Sequence, residues 1–481
     1  MSDERPDDRP DERAGERPRP AGLPILVVGR PDPVSTNGER VLAAGAPAIS
    51  SDGRFVAFVS ESGDLVPGDA NGAADVFVRD TMLDRTVLIS RSVTGGSAAG
   101  SSLQPAISAD GRFVAFTSSA PDLVEGDSNG SLDVFVHDLR TGITQLISRG
   151  RHGELADADS YSPSLSADGR FVAYCSMAAN LDTRDTNHVP DVYRYDRLTG
   201  HTTLISVAAD GRSGDGPSGQ PSISANGRLV AFTSAARFSE QDTNSEIDVY
   251  LHDADTGELD LVSRTPDGAA GNGPSLSPSL SADGSAVAFT SHADDLVDGD
   301  DNRASDVFVH RRESGRTELI STNRDGEPAE DDSHSPSISG DGRRVAFLSA
   351  AEDLVPAPGD GAPSGAESAP RDHTYVRDLD GAGTALVSGT RRRTPGDGVS
   401  TATSISSWGR HVAFADTSTD LAGTPGGPPL APQEQVYVAP VRTAQVPRPP
   451  ATSSSPAQPS QPSQSSQSSP ASSAEEDPDS D

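Results

Sequence analysis

The sequence predicts an all-β protein, a seven-bladed β-propeller of four-stranded antiparallel blades whose ring is closed by an N-terminal strand in the last blade. Three observations predict it. One hairpin text recurs seven times at a near-constant period. Each recurrence is followed by the same short strand signals. The last recurrence lacks a final strand, and the N-terminus supplies one.

The hairpin is clearest in Ser108-Ala-Asp-Gly-Arg-Phe-Val-Ala-Phe-Thr-Ser118, with near copies at Ser50–Ser60 and Ser166–Ser176 and weaker ones from Ser224, Ser281, Ser339 and Ser406. The tetrads that open each unit begin at Pro47, Pro105, Pro163, Pro221, Pro278, Pro336 and Thr403, so the spacings are 58, 58, 58, 57, 58 and 67 residues. A period of this kind is the signature of a repeat architecture. In the second unit Pro105-Ala-Ile-Ser108 is the first strand, and Ala109-Asp-Gly-Arg112 is a tight turn in which Asp-Gly supplies the positive φ angles of a two-residue hairpin. Phe113–Thr117, Asp133–His137 and Thr144–Ser148 are the remaining strands. The strands are continuously apolar instead of alternating, which implies burial on both faces. Small sheets stacked face to face by repetition make a propeller, and Phe116 is expected between two blades. The seventh unit ends after Val436-Tyr-Val-Ala439, while Ile25-Leu-Val-Val28 and Pro33-Val-Ser35 precede the first tetrad. Closing the ring with that strand removes exposed sheet edges.

Three regions follow. Residues 1–22 read as a disordered, charged, proline-rich arm, residues 23–442 as the propeller, and residues 443–481 as a disordered Ser/Pro/Gln-rich tail with an acidic end. Both ends have too few apolar groups to offset the entropy of ordering.

Composition excludes several classes of function. The net charge of −34 argues against nucleic acid as a partner, because phosphate binding needs basic patches. Every basic residue is arginine or histidine, so lysine Schiff bases and lysine phosphate loops are excluded. The single cysteine, Cys175, permits no intramolecular disulfide or thiolate metal cluster. No stretch is apolar enough to span a membrane. The N-terminus as written has no signal-peptide core, so a cytoplasmic location is expected, or an extracytoplasmic one if the start site is misassigned. A monomer is expected.

The Ser-x-Asp-Gly-Arg-x-Val-Ala-Phe units, each followed by Asp-Val-Phe-Val-x-Asp and Thr-x-Leu-Ile-Ser, resemble the WD-repeat-like β-propeller units of the TolB family. The resemblance covers the whole array and implies the fold. TolB itself carries an additional N-terminal α/β domain, where this chain has the acidic arm. Related propellers include parts of prolyl-peptidase-type hydrolases and sugar lyases.

The loop between second and third strands carries Asp-x-Asn-x-x-x-Asp in five units. The residues are Asp69, Asn71, Asp75; Asp127, Asn129, Asp133; Asp185, Asn187, Asp191; Asp242, Asn244, Asp248; and Asp300, Asn302, Asp306. Oxygens at alternate positions resemble the start of a Ca²⁺ loop. No bidentate Glu follows, and Asx bonds to the local backbone would use the same residues. The sixth unit breaks the pattern with a Pro/Gly insertion and His373, and the seventh has Gln435. Gly126-Asp-Ser128-Asn-Gly130 matches a nucleophile-elbow pattern but lies in this loop, without the strand–helix setting that gives the pattern meaning. His137, His252 and His310 recur at one strand end on separate blades, too far apart for one ion. Trp408, in place of the turn Asp, is either a contact residue or a cover for the closing seam.

Variable loops on a rigid scaffold are where recognition concentrates. The leading expectation is therefore a non-catalytic module that binds an unknown protein or small ligand on the acidic loop face. The alternatives are a hydrolase or polysaccharide lyase at the channel mouth, with His152, Glu154, Asp157, Asp159 and Tyr161 as candidates, and a calcium-binding propeller.

Overall fold

In a computed structural model of the chain, the described residues are 25–28, 47–356, 371–381, 383–390, 393–421 and 434–441. They form seven four-stranded antiparallel sheets, and no helix occurs among them. The expectations for residues 1–22, Pro33–Ser35 and residues 443–481 lie outside the described residues.

Blade two shows the pattern. Its strands A to D are Ser102–Ile107, Phe113–Ser118, Asp133–Asp138 and Ile143–Leu146, hydrogen-bonded in that order. Strands B and C are buried almost throughout, whereas strand D is partly exposed. Phe116 is fully buried and stacks on Phe135 with ring centroids 5.8 Å apart. It packs in one cluster with Val76, Val78 and Ile89 of blade one, as a residue between blades must. The last sheet is completed by Ile25–Val28, antiparallel to Gln435–Pro440.

The recurrent hairpin owes its sequence to a hydrogen-bond set. The Ser108 hydroxyl donates to Asp110 Oδ1 at 2.7 Å and accepts the Phe113 N–H at 2.9 Å. Asp110 Oδ1 also accepts the Arg112 N–H at 3.0 Å. The turn differs from the two-residue form expected. Gly111 N–H donates to Ser108 O at 2.9 Å, and only Gly111, at φ +73°, has a positive φ. The carboxylate of Asp110 is held as an acceptor inside a four-residue turn, so no positive φ is needed there. Arg112 then forks onto Asp138 at the end of strand C, at 2.9 and 2.7 Å, and lies 4.5 Å over the Phe113 ring.

These hairpins lock the ring. Ser51 N–H donates to Ala109 O at 3.0 Å, Ala109 to Ala167 at 2.9 Å, and Ala167 to Ala225 at 2.9 Å. Ala225 donates to Ala282 at 2.8 Å, Ala282 to Gly340 at 3.0 Å, and Gly340 to Ser407 at 2.9 Å. Trp408 N–H returns to Ser51 O at 3.2 Å. Seven backbone bonds thus circle one end of the channel, and the small side chains let the hairpins meet. Gly340 shows the tightness, since a Cβ there would stand 2.0 Å from Ser407 Oγ. The A strands of consecutive blades touch, and Ser164, Ser222, Ser279 and Ser337 each accept an N–H from the next blade at 3.0–3.2 Å. The B–C loops and the D–A connections lie at the other end of the ring.

Candidate functional site

The Asp-x-Asn loops form latches. In blade one Asn71 Nδ2 donates to Asp75 Oδ2 at 2.7 Å and to Ala98 O, in the next connection, at 2.9 Å. Asn71 Oδ1 accepts the Ala73 N–H at 2.9 Å. The Ser90 hydroxyl, two residues past the fourth strand Arg85–Leu88, donates to Asp75 Oδ1 and accepts the Val76 N–H. Asn129, Asn244 and Asn302 repeat the bond to Asp133, Asp248 and Asp306 at 2.7–3.0 Å. Ser148, Ser263 and Ser321 repeat the serine bond to the third Asp at 2.5–2.6 Å. In blade three Asn187 keeps only the carbonyl bond, to Gly214 O, and Asp191 Oδ2 is buried without a partner.

Burial pushes Asp75, Asp133, Asp191, Asp248 and Asp306 up to about 6, against the hydroxyl and amide donors. The first Asp of the loop differs by blade. Asp185 accepts the Tyr193 hydroxyl at 2.7 Å, and Asp242 accepts that of Tyr250. Blades one, two and five carry Phe77, Phe135 and Phe308 at that register, and burial raises Asp69, Asp127 and Asp300, the last to about 7. Among the described residues no three His, Cys, Asp or Glu side chains are grouped to hold an ion.

His137 and His310 are buried and bond Thr144 and Thr317 of their own blades at 3.0 and 3.1 Å. Burial depresses both, with His252, to about 4. Trp408 N–H closes the hairpin ring, and the residue is 57% exposed.

The residues of the blade-three connection are not brought together. Glu154 Oε2 accepts the His152 N–H within one turn, Asp157 Oδ1 accepts the Ala179 N–H, and Asp159 Oδ1 accepts the Leu132 N–H. Tyr161 lies in strand A opposite Cys175. The carboxylates of Glu154, Asp157 and Asp159 are thus each bonded to a nearby backbone N–H.

The non-repeat polar cluster is on blades five and six. An open cavity of about 670 Å³ lies on the loop face, lined among others by Thr290, His292, Asp331, His334, Ser335, Arg371 and Asp372. His334 and Ser335 belong to strand A of blade six, Ser333–Ile338, and Asp372 immediately precedes its strand C, His373–Asp378. His334 Nδ1 is 3.0 Å from Ser335 Oγ and its Nε2 is 3.3 Å from Asp372 Oδ2. Ser335 N–H donates to Thr290 Oγ1 at 3.1 Å, and Arg371 Nη1 to Asp397 O at 2.5 Å. The positions equivalent to His334 hold Leu103, Tyr161, Gly219, Leu276 and Thr401, and those equivalent to Asp372 hold Ala74, Leu132, Pro190, Ile247, Ser305 and Glu434. The signal that finds this site is departure from the repeat: the one blade with His373 in place of the third Asp also carries His334 and Asp372.

No family model and no curated protein sequence matches the chain. Solved structures similar to it include TolB from Agrobacterium tumefaciens, at 20% identity over 57% of this chain and 79% of that one, with a TM-score of 0.37. The oligogalacturonate lyase of Vibrio parahaemolyticus is similar at 13% identity over 88% and 99%, with a TM-score of 0.48. The β-propeller domain of the Trilobed protease from Pyrococcus furiosus is similar at 12% identity over 82% and 97%, with a TM-score of 0.46. TolB proteins are thus among the neighbours, as the repeat text led us to expect. At these identities the likeness concerns the fold alone.

Proposed function

We propose that the chain is a ligand-binding propeller that takes up a small polar molecule in the loop-face cavity between blades five and six. The observation that carries this reading is the set of side chains around that cavity, His292, Asp331, His334, Arg371 and Asp372, which the sister blades do not repeat. A concave site with a few convergent polar groups is the usual form of a small-molecule site. Scaffold needs account for the repeated residues and leave these over. Thermal-shift screening against sugars, amino acids and short peptides is the test. A stabilising compound is expected whose effect is lost in Arg371→Ala and His292→Ala, because a specific ligand stabilises by mass action. Ligands whose effect survives both changes would move the site elsewhere.

Calcium at the B–C loops is a separate proposal. It is supported by Asp69 Oδ2 and Asp191 Oδ2, buried oxygens without a partner. It expects the melting temperature to rise with millimolar Ca²⁺ and fall with chelator; an unchanged transition rejects it.

A further inference from the structure

We propose that Ser335, His334 and Asp372 form a nucleophile–base–acid set that hydrolyses small carboxylic esters in the cavity described above. The inference rests on that cavity as the binding site and adds chemistry to it.

One hydrogen bond and one charge contact assign the roles. The Asp372 carboxylate, 3.3 Å from Nε2, favours by its charge the tautomer with the imidazole proton on Nε2. Nδ1 is then left with a lone pair, 3.0 Å from Ser335 Oγ, in position to accept the hydroxyl proton. This is nucleophile to base to orienting carboxylate, the relation that defines an activated serine whatever the fold or chain order. All three side chains line one cavity. Half-buried His334 and Asp372, with 34% and 30% of their side chains exposed, are reachable by substrate.

Two features of the repeat support the geometry. Strand A of each of blades two to six carries a bulge with a positive φ, at Gln104, Ser162, Gln220, Ser277 and Ser335. The backbone conformation of Ser335 is therefore built into the blade, and Thr290 Oγ1 of blade five holds its N–H. Ser162 and Ser277 share the backbone, but their preceding residues are Tyr161 and Leu276, which provide no base. Leu276, Ala350 and Val399 give the cavity an apolar wall for a short acyl chain, and Arg371 is a cation at its edge for a developing oxyanion.

The step balances without a cofactor. Ser335 Oγ bonds to the ester carbonyl carbon and its proton passes to His334 Nδ1. The C–O bond to the alcohol breaks, and the departing oxygen takes that proton. Water then attacks the acyl-serine, gives a proton to Nδ1, and releases the carboxylic acid as Ser335 regains its proton. The net reaction consumes ester and water and yields acid and alcohol.

A fluorophosphonate probe and p-nitrophenyl acetate test this on the full chain. Wild type is expected to take one fluorophosphonate, on Ser335 by peptide mapping, and to release p-nitrophenol with an acyl burst. Ser335→Ala should abolish both. Ser335→Gly, which suits the positive φ and removes the whole CH2OH side chain, should abolish both with melting retained. His334→Gln should slow labelling at least tenfold. Absence of labelling in wild type, labelling elsewhere, or a labelling rate indifferent to His334→Gln overturns the proposal. If labelling is absent while ligand-induced stabilisation still depends on Arg371, the chemistry fails and the binding site stands; if both are absent, the cavity reading falls as well.

Discussion

Asp300 is 8% exposed and held near 7, first by burial and then by Asp306, Asp294 and Asp301. Its folded-state value lies above the usual carboxylate value of 3.8. Its protonated form is therefore favoured by folding, and stability is lost as pH rises from that ordinary range through about 7. Sister blades show the remedy, since Tyr193 and Tyr250 donate to Asp185 and Asp242 from the register position Phe308 occupies. Phe308→Tyr should supply that donor and favour the anion. It is expected to stabilise the protein by about 1.5 kcal/mol at pH 8 and by less at pH 5, read from denaturant unfolding at both pH values. Destabilisation at both would mean that the hydroxyl overpacks the core without reaching the carboxylate. No single residue of the sequence announced this difference between blades. Asp300 and Asp185 sit in the same motif, and the partner eight residues on decides between them.

At the scale of the element, the hairpin was legible because local chemistry fixes it. Ser108, Asp110, Arg112 and Phe113 make their bonds within one turn, and Arg112 reaches the next strand of the same sheet. The calcium-like reading of the Asp-x-Asn loop was harder to judge from sequence. The Asn side chain bonds an oxygen 27 residues on, Ala98 in blade one, and spacing alone does not show that contact. The apolar B strands have one use, to fill the seam between blades. Phe116→Ala should therefore cost about 3–5 kcal/mol in a chemical denaturation series. A tolerated change would contradict the packing of Phe116 against Phe135 and the blade-one valines.

The whole molecule depends on closure. Strand Ile25–Val28 pairs with Gln435–Pro440 across nearly the full sequence, and the ring of hairpin bonds joins Trp408 to Ser51. Deleting residues 1–28 removes the pairing and bares an edge on the last blade. The truncated chain is expected to melt at lower temperature and to run as oligomers in size-exclusion chromatography. An unchanged melting temperature would mean that the hairpin ring alone holds the circle. By itself the sequence determined the blade count, the strand order and the closing strand, because these follow from period and apolar pattern, which are local or repeated. Only the tertiary structure decided where the cavity lies. Thr290, His334 and Asp372 come from two blades and more than eighty residues of chain. Their meeting depends on how far each blade is rotated about the axis and on which rim each loop faces. The connection at His152–Tyr161 drew attention for its polar residues, yet the scaffold bonds Asp157 and Asp159 in place, while blade six departs from the repeat at positions that the ring turns toward one space.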